Sequence, residues 1–217
     1  MSDIIDYNRH LVVLAHGVLN NDTDMNFLEE GLKKEGYSTF SVTLPLTFGS
    51  MRDAYKAIKH QIGEILGNYD VVHFVGYSMG GLVIQKFLSM NKLDNLGNCV
   101  FIATPHKGSK LANLASSVPF VSKIFKPLLD LKTDRVVDNI FKHHKGLKVG
   151  IIAGSKNDNF YSRLFLSHRS DGLVEIQSAK HDDMHDYAHF PYIHKEIHVQ
   201  KDVLVAVCKF MADGTFK

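Results

Sequence analysis

A serine, an aspartate and a histidine at particular spacings could carry chemistry in this 217-residue chain, and the serine is Ser78. It stands at the centre of Gly76-Tyr77-Ser78-Met79-Gly80, a G-x-S-x-G string. The mostly apolar run Val71 to Val75 leads into it and the amphipathic run Leu82 to Met90 follows it. That order reads as buried strand, very tight turn and helix, and it lifts the serine hydroxyl above the sheet into a strained, accessible position. The turn is tight enough that the residues two before and two after the serine must be small. A serine is a poor nucleophile at its own pKa, so it needs a histidine base and an acid that orients that base.

In a strand–serine–helix turn of this kind the partners follow in the order serine, acid, histidine. Two acids compete: Asp158, in G-S-K-N-D-N-F, and Asp171, in S-D-G-L-V. Asp171 is favoured, because an aspartate before glycine makes a tight turn that can aim its carboxylate, with Leu173-Val174 continuing as an extended segment. Asp-Gly is also a common turn pair with no chemistry at all, and Asp158 reads equally simply as a loop residue. For the base, His181, His185, His189, His194 and His198 all lie late in the chain. A base held by the last helix should sit on the loop just ahead of it, which favours His194 over His189 and His198.

Acyl transfer to such a serine also needs donors for a developing oxyanion. The backbone N–H of Met79, just past the nucleophile, is one candidate. The N–H of Val18 is the other, on the loop after the apolar run Leu11 to Ala15, where Gly17 lets the backbone turn inward. His16 reads as a residue that fixes this loop, not as a second base. His181, His185 and His189 recur every fourth residue with Asp182, Asp183 and Asp186 between them. On a helix they could form a metal face. The stretch lacks H-E-x-x-H, however, and Pro191 follows, so we expect an irregular surface loop, no metal and no cofactor.

The elements that must position these groups alternate along the chain. Strands are expected at Leu11–Ala15, Tyr37–Val42, Val71–Val75, Cys99–Ala103 and Leu147–Ala153. Helices are expected after the cap candidates Asp22, Thr23 and Asp24, over Met51–Leu66 up to Gly67, from Leu82, and over a last segment carrying Val199, Val203, Leu204, Val207, Phe210 and Met211 on one face. Near-continuous apolar strands alternating with helices predict a parallel sheet covered on both faces. Residues 107–146 break the alternation. They carry Pro119 and Pro127, apolar groups and no clear strand, and nine Lys/Arg against three Asp lie between Lys107 and Lys148. This segment reads as a helical insert, either a cover for a core edge or a cap over the Ser78 pocket.

Composition bounds the rest. With 45% hydrophobic and 22% charged residues and a net charge of +2, the chain is an ordinary globular one with no reason to bind nucleic acid. It suits a single domain, residues 1–217. Cys99 and Cys208 have no C-x-x-C partner and fit a core in a reducing compartment. Met1 to Arg9 has no basic region ahead of an apolar segment, and no apolar run approaches the ~20 residues of a membrane span. A cytoplasmic location is expected.

Taken together, V-V-L-A-H-G (Val12 to Gly17), G-Y-S-M-G-G (Gly76 to Gly81), A-T-P-H-K-G-S (Ala103 to Ser109) and S-D-G-L-V (Ser170 to Val174) resemble the α/β-hydrolase superfamily, in particular small bacterial lipases and esterases. The A-T-P-H-K-G-S segment is similar to a G-T-P-H-x-G-S stretch of many lipases. The resemblance implies a reduced, mostly parallel central sheet flanked by helices, without the two leading antiparallel strands of larger relatives. It implies Ser78, Asp171 and His194 as a triad, Val18 and Met79 as oxyanion donors, and a small acyl ester, possibly lipid-like, as substrate. The expected activity is carboxylic-ester hydrolysis. An acyl-thioesterase, an acyltransferase and a non-catalytic binding homologue are the alternatives.

Overall fold

The computed structural model describes residues 7–217 except 19, 48, 109–143, 145 and 159. Most of the 107–146 insert expected from the sequence therefore lies outside the described residues.

The runs of Val, Ile, Leu and Phe form strands because branched and aromatic side chains pack well on a pleated surface. In chain order these are β1 (His10–Ala15), β2 (Ser38–Val42), β3 (Val71–Tyr77), β4 (Leu96–Ile102), β5 (Val149–Gly154) and β6 (Asp186–Phe190). They form one sheet in the order β2-β1-β3-β4-β5-β6, and every neighbouring pair is parallel. Between them run α1 (Asn26–Lys34), α2 (Met51–Ile62), α3 (Met79–Met90), α4 (Phe160–Phe165), α5 (Ile176–Ala179) and finally α6 (Lys201–Asp213).

Both faces of the sheet are covered, as its unalternating strands require. Leu11, Val13 and Ala15 of β1 join Phe74, Phe101 and Ile151 in a core closed by α2 and α3 residues such as Ile58, Ile62 and Val83. Val12 and Leu14 point the other way, into a second core with Val75, Ile102 and Ile152 closed by Leu28 and Leu32 of α1 and Val203, Val207 and Phe210 of α6. The period-two alternation is thus present, but both sides are apolar.

Four expectations change. The His181–His189 stretch is not an irregular loop throughout. After a turn at Asp182-Asp183 it becomes β6, whose Asp186 to Phe190 pair with Gly150 to Gly154. Half-buried D-Y-A-H-F carries little apolar signal, and the strand is held by backbone pairing to one neighbour. The second helix stops at Ile62, with Gly63 as its C-cap, so Leu66 falls in a separate 3-10 turn. Val199 precedes α6 in another 3-10 turn and is exposed. Asp22, Thr23 and Asp24 fall in a 3-10 turn that precedes α1 and is capped by Asn21, whose side chain accepts the Thr23 N–H while Asp24 accepts the Asn21 N–H. Helix α1 itself starts after Met25 with no side-chain cap.

Candidate active site

Ser78 joins β3 to α3 with φ 53° and ψ −126°, a backbone position that costs a non-glycine residue about 1–3 kcal/mol. The strain is held from both sides. Ser78 N–H donates to the Ile102 carbonyl at 2.8 Å, and its own carbonyl accepts the Gly81 N–H at 3.1 Å. The two flanking glycines are required by close approach. A Cβ on Gly76 would collide with the Gly81 backbone, and one on Gly80 would collide with the carbonyls of Ala15 and His16. Helix α3 is therefore packed directly onto the carboxyl ends of β1 and β3, with Ser78 half-buried at its N-terminus.

Asp171 and His194 meet that serine at the same carboxyl end of the sheet, from the side of β5. Asp171 lies over the end of β5, where a side chain on Gly154 would meet its Cβ at 2.6 Å. Its Oδ1 accepts the N–H groups of Leu173 at 2.9 Å and Val174 at 2.7 Å. Its Oδ2 accepts the Nδ1–H of His194 at 2.7 Å, and His194 Nε2 lies 3.0 Å from Ser78 Oγ. With Nδ1 donating to the carboxylate, Nε2 carries the lone pair and accepts the serine proton. Asp171 is 2% exposed, so the carboxylate is shielded from water. The structure thus joins Ser78, His194 and Asp171 in one hydrogen-bonded line.

The competing candidates go elsewhere. Asp158 is exposed and paired with Lys156 at 3.0 Å. His189 is an exposed residue of β6 whose ring stacks on Tyr187. His198 is buried against Tyr77, their ring centroids 4.1 Å apart. Burial pushes its pKa down to about 4, so it is neutral at physiological pH. His181 packs edge-on to His106, and His185 Nδ1 accepts the Val149 N–H at 3.2 Å. Among the described residues no group of three His, Cys, Asp or Glu side chains is arranged to hold a metal ion.

The loop after β1 approaches the serine closely. A Cβ on Gly17 would stand 3.0 Å from Ser78 Cβ and 3.2 Å from the Tyr77 ring. His16 is buried and holds this loop, its Nδ1–H donating to the Gly17 carbonyl and its Nε2 accepting the Leu44 N–H, both at 2.9 Å. Burial lowers its pKa, and both nitrogens are committed. Val18 follows on that loop. Met79 is the first residue of α3, so its N–H is one that a helix leaves without an internal acceptor. The dipole of α3 also favours negative charge there.

Two contributors escape a sequence reading. Asn157 is buried, donates to Ser170 Oγ at 3.0 Å and accepts from Ser162 Oγ at 2.7 Å, so it braces the loop that carries Asp171. Tyr77 donates its hydroxyl to the His194 carbonyl at 2.8 Å. Tyr77 lies inside the G-x-S-x-G string, but at a position that string leaves open, and its contact is with a segment 117 residues away. Asn157 acts within its own loop, where no motif marks it.

Known structures share this architecture. A Bacillus licheniformis lipase, BlEst2 in mature form, is 22% identical, with a TM-score of 0.75 over 93% of this chain and 90% of that one. The metagenomic carboxyl esterase MGS0156 is 18% identical at a TM-score of 0.68, covering 88% of this chain and 66% of that one. A lipase-esterase related protein from Clostridium acetobutylicum ATCC 824 is 15% identical at a TM-score of 0.62, covering 94% of each chain. These likenesses establish the fold as that of the α/β-hydrolases. No curated protein matches the chain. Residues 6–134 match the family described as "Putative serine esterase (DUF676)", which spans more than half of the sequence. The chain therefore belongs to that serine esterase family, on an α/β-hydrolase fold.

Proposed function

We propose that this protein hydrolyses carboxylic esters of small acyl substrates through a Ser78–His194–Asp171 triad. The observation that carries the reading is the unbroken hydrogen-bonded line from Ser78 Oγ to Asp171 Oδ2, aligned at the carboxyl ends of the strands. Ser78 Oγ attacks the ester carbonyl while His194 Nε2 takes its proton. Asp171 keeps the imidazole in the required tautomer and stabilises its charged form. The Met79 and Val18 N–H groups hold the oxyanion of the tetrahedral intermediate. As that intermediate collapses, the imidazolium passes its proton to the departing alcohol oxygen and an acyl-serine remains. Water then attacks the acyl-serine, giving its proton to His194. Collapse of the second intermediate returns that proton to Ser78 Oγ and releases the acid.

The chain is one catalytic domain in this reading. No helix among the described residues is long and apolar enough to cross a membrane. Cys99 and Cys208 are unpaired, which supports a reducing compartment such as the cytoplasm. A fluorophosphonate probe tests the chemistry, since it needs an activated serine. Wild type should be labelled at Ser78 and Ser78→Ala should not; an unlabelled wild type, or equal labelling of both, overturns the reading.

A further inference from the structure

The triad accounts for the ring of His194 but not for what holds its main chain. Two groups do so. The His194 N–H donates to the Asp171 carbonyl at 2.9 Å, and the His194 carbonyl accepts the Tyr77 hydroxyl at 2.8 Å. The first tie comes from the acid of the triad, the second from the residue directly before the nucleophile. Leaving a buried phenol without an acceptor costs free energy. This one, 3% exposed, has found the peptide unit of the proposed base, 117 residues away.

The Tyr77 ring is itself confined. It stacks on His198 at 4.1 Å with 21° between the planes, and it lies 5.3 Å from the His194 ring. A third boundary is the loop after β1, since a Cβ on Gly17 would meet the Tyr77 ring at 3.2 Å. One side chain thus touches the loop of His194, the 3-10 turn of His198 and the loop of Val18, while its backbone runs into Ser78.

We propose that Tyr77 is a positioning residue for the ester hydrolysis: its hydroxyl sets the height of His194 above Ser78, and its ring, backed by His198, holds the Gly17-Val18 loop against the nucleophile. The inference rests on the esterase reading. Tyr77 touches no reacting atom, so its effect falls on turnover through geometry. His198, neutral through burial, backs the ring without adding a second positive charge beside the imidazolium that forms at His194.

Tyr77→Phe keeps the ring and removes only the hydroxyl. Measured on p-nitrophenyl acetate with active sites counted by the fluorophosphonate probe, kcat should fall by about 10- to 30-fold with KM within about twofold, because small displacements of a catalytic group are costly. A merely structural tyrosine would lower the melting temperature and leave kcat per labelled site unchanged. Labelled wild type with Tyr77→Phe turnover within about twofold of it overturns the inference. A wild type that the probe does not label overturns the esterase reading and this inference with it. Should Tyr77→Phe fail to fold, His198→Ala takes its place. It should lose about threefold in kcat and recover in His198→Phe, which restores the stacked ring, whereas full turnover in His198→Ala overturns the proposal.

Discussion

Asp171→Asn gives a sharp test of the site, because the two carboxylate oxygens have unlike partners. Oδ1 accepts two backbone N–H groups, from Leu173 and Val174, and only an acceptor can stand there. An asparagine must therefore point its carbonyl oxygen at those N–H groups and its amide nitrogen at His194. That nitrogen is a donor, so it forces Nδ1 of His194 to become an acceptor and moves the ring proton to Nε2. Nε2 then faces Ser78 Oγ as an N–H group and cannot take its proton. The packing changes little, since the two side chains are nearly isosteric, but the tautomer is wrong. In a serine triad of known mechanism the same exchange costs ~10⁴ in kcat, which is about 5.4 kcal/mol at about 1.36 kcal/mol per decade. Initial rates on p-nitrophenyl esters, with melting temperature as a control for folding, measure it. Asp158→Asn, which alters only an exposed ion pair with Lys156, should stay within about twofold of wild type. Asp171→Asn retaining more than about a tenth of wild-type turnover would refute the tautomer argument, and a comparable loss in Asp158→Asn would move the acid to that residue.

Gly80→Ala drives a methyl group into the carbonyls of Ala15 and His16; it should lose soluble folded protein, and a variant melting at the wild-type temperature contradicts the close packing of α3 on β1. Gly17→Ala places its methyl 3.0 Å from Ser78 Cβ, and should cost about tenfold in fluorophosphonate labelling rate with little change in melting temperature. Stability should depend on pH through His73. Burial and the neighbouring His10 push its pKa down to about 4, against about 6.5 in the unfolded chain. Between those values the unfolded state binds the extra proton, so unfolding free energy rises with pH, by up to about 1.4 kcal/mol per pH unit for this group. Its contribution is complete above pH ~6.5 and is lost as pH falls toward ~4. Denaturant titrations across that window should give a shallower slope for His73→Gln, and an unchanged slope would contradict a neutral buried imidazole.

The sequence by itself determined the elements whose signal is local. The strand, tight turn and helix around Ser78 were legible because Gly76 and Gly80 leave one backbone path, and the apolar runs of β1, β3, β4 and β5 because buried parallel strands need no polar face. The loop that carries His194 was placed by its distance from the last helix, and Asp171 by the turn chemistry of Asp-Gly. Strand β6 was not legible, since an edge strand is held by backbone pairing to β5 and its residues D-Y-A-H-F bury little. The choice of Asp171 over Asp158 belonged to tertiary structure as well. Both are loop aspartates after β5 in the sequence, but only one is brought over Gly154, under the Leu173 and Val174 N–H groups and against Nδ1 of His194. The role of Tyr77 was decided there entirely, because its partner His194 lies 117 residues away and meets it only when the sheet is assembled. Asn157 pairs within its own loop, with Ser162 and Ser170, through contacts that no spacing rule announces. A short motif can specify a strained turn and a nucleophile. The distances of a few ångströms that let a base and an acid act on that nucleophile are set by how β3, β5 and the loop before α6 converge.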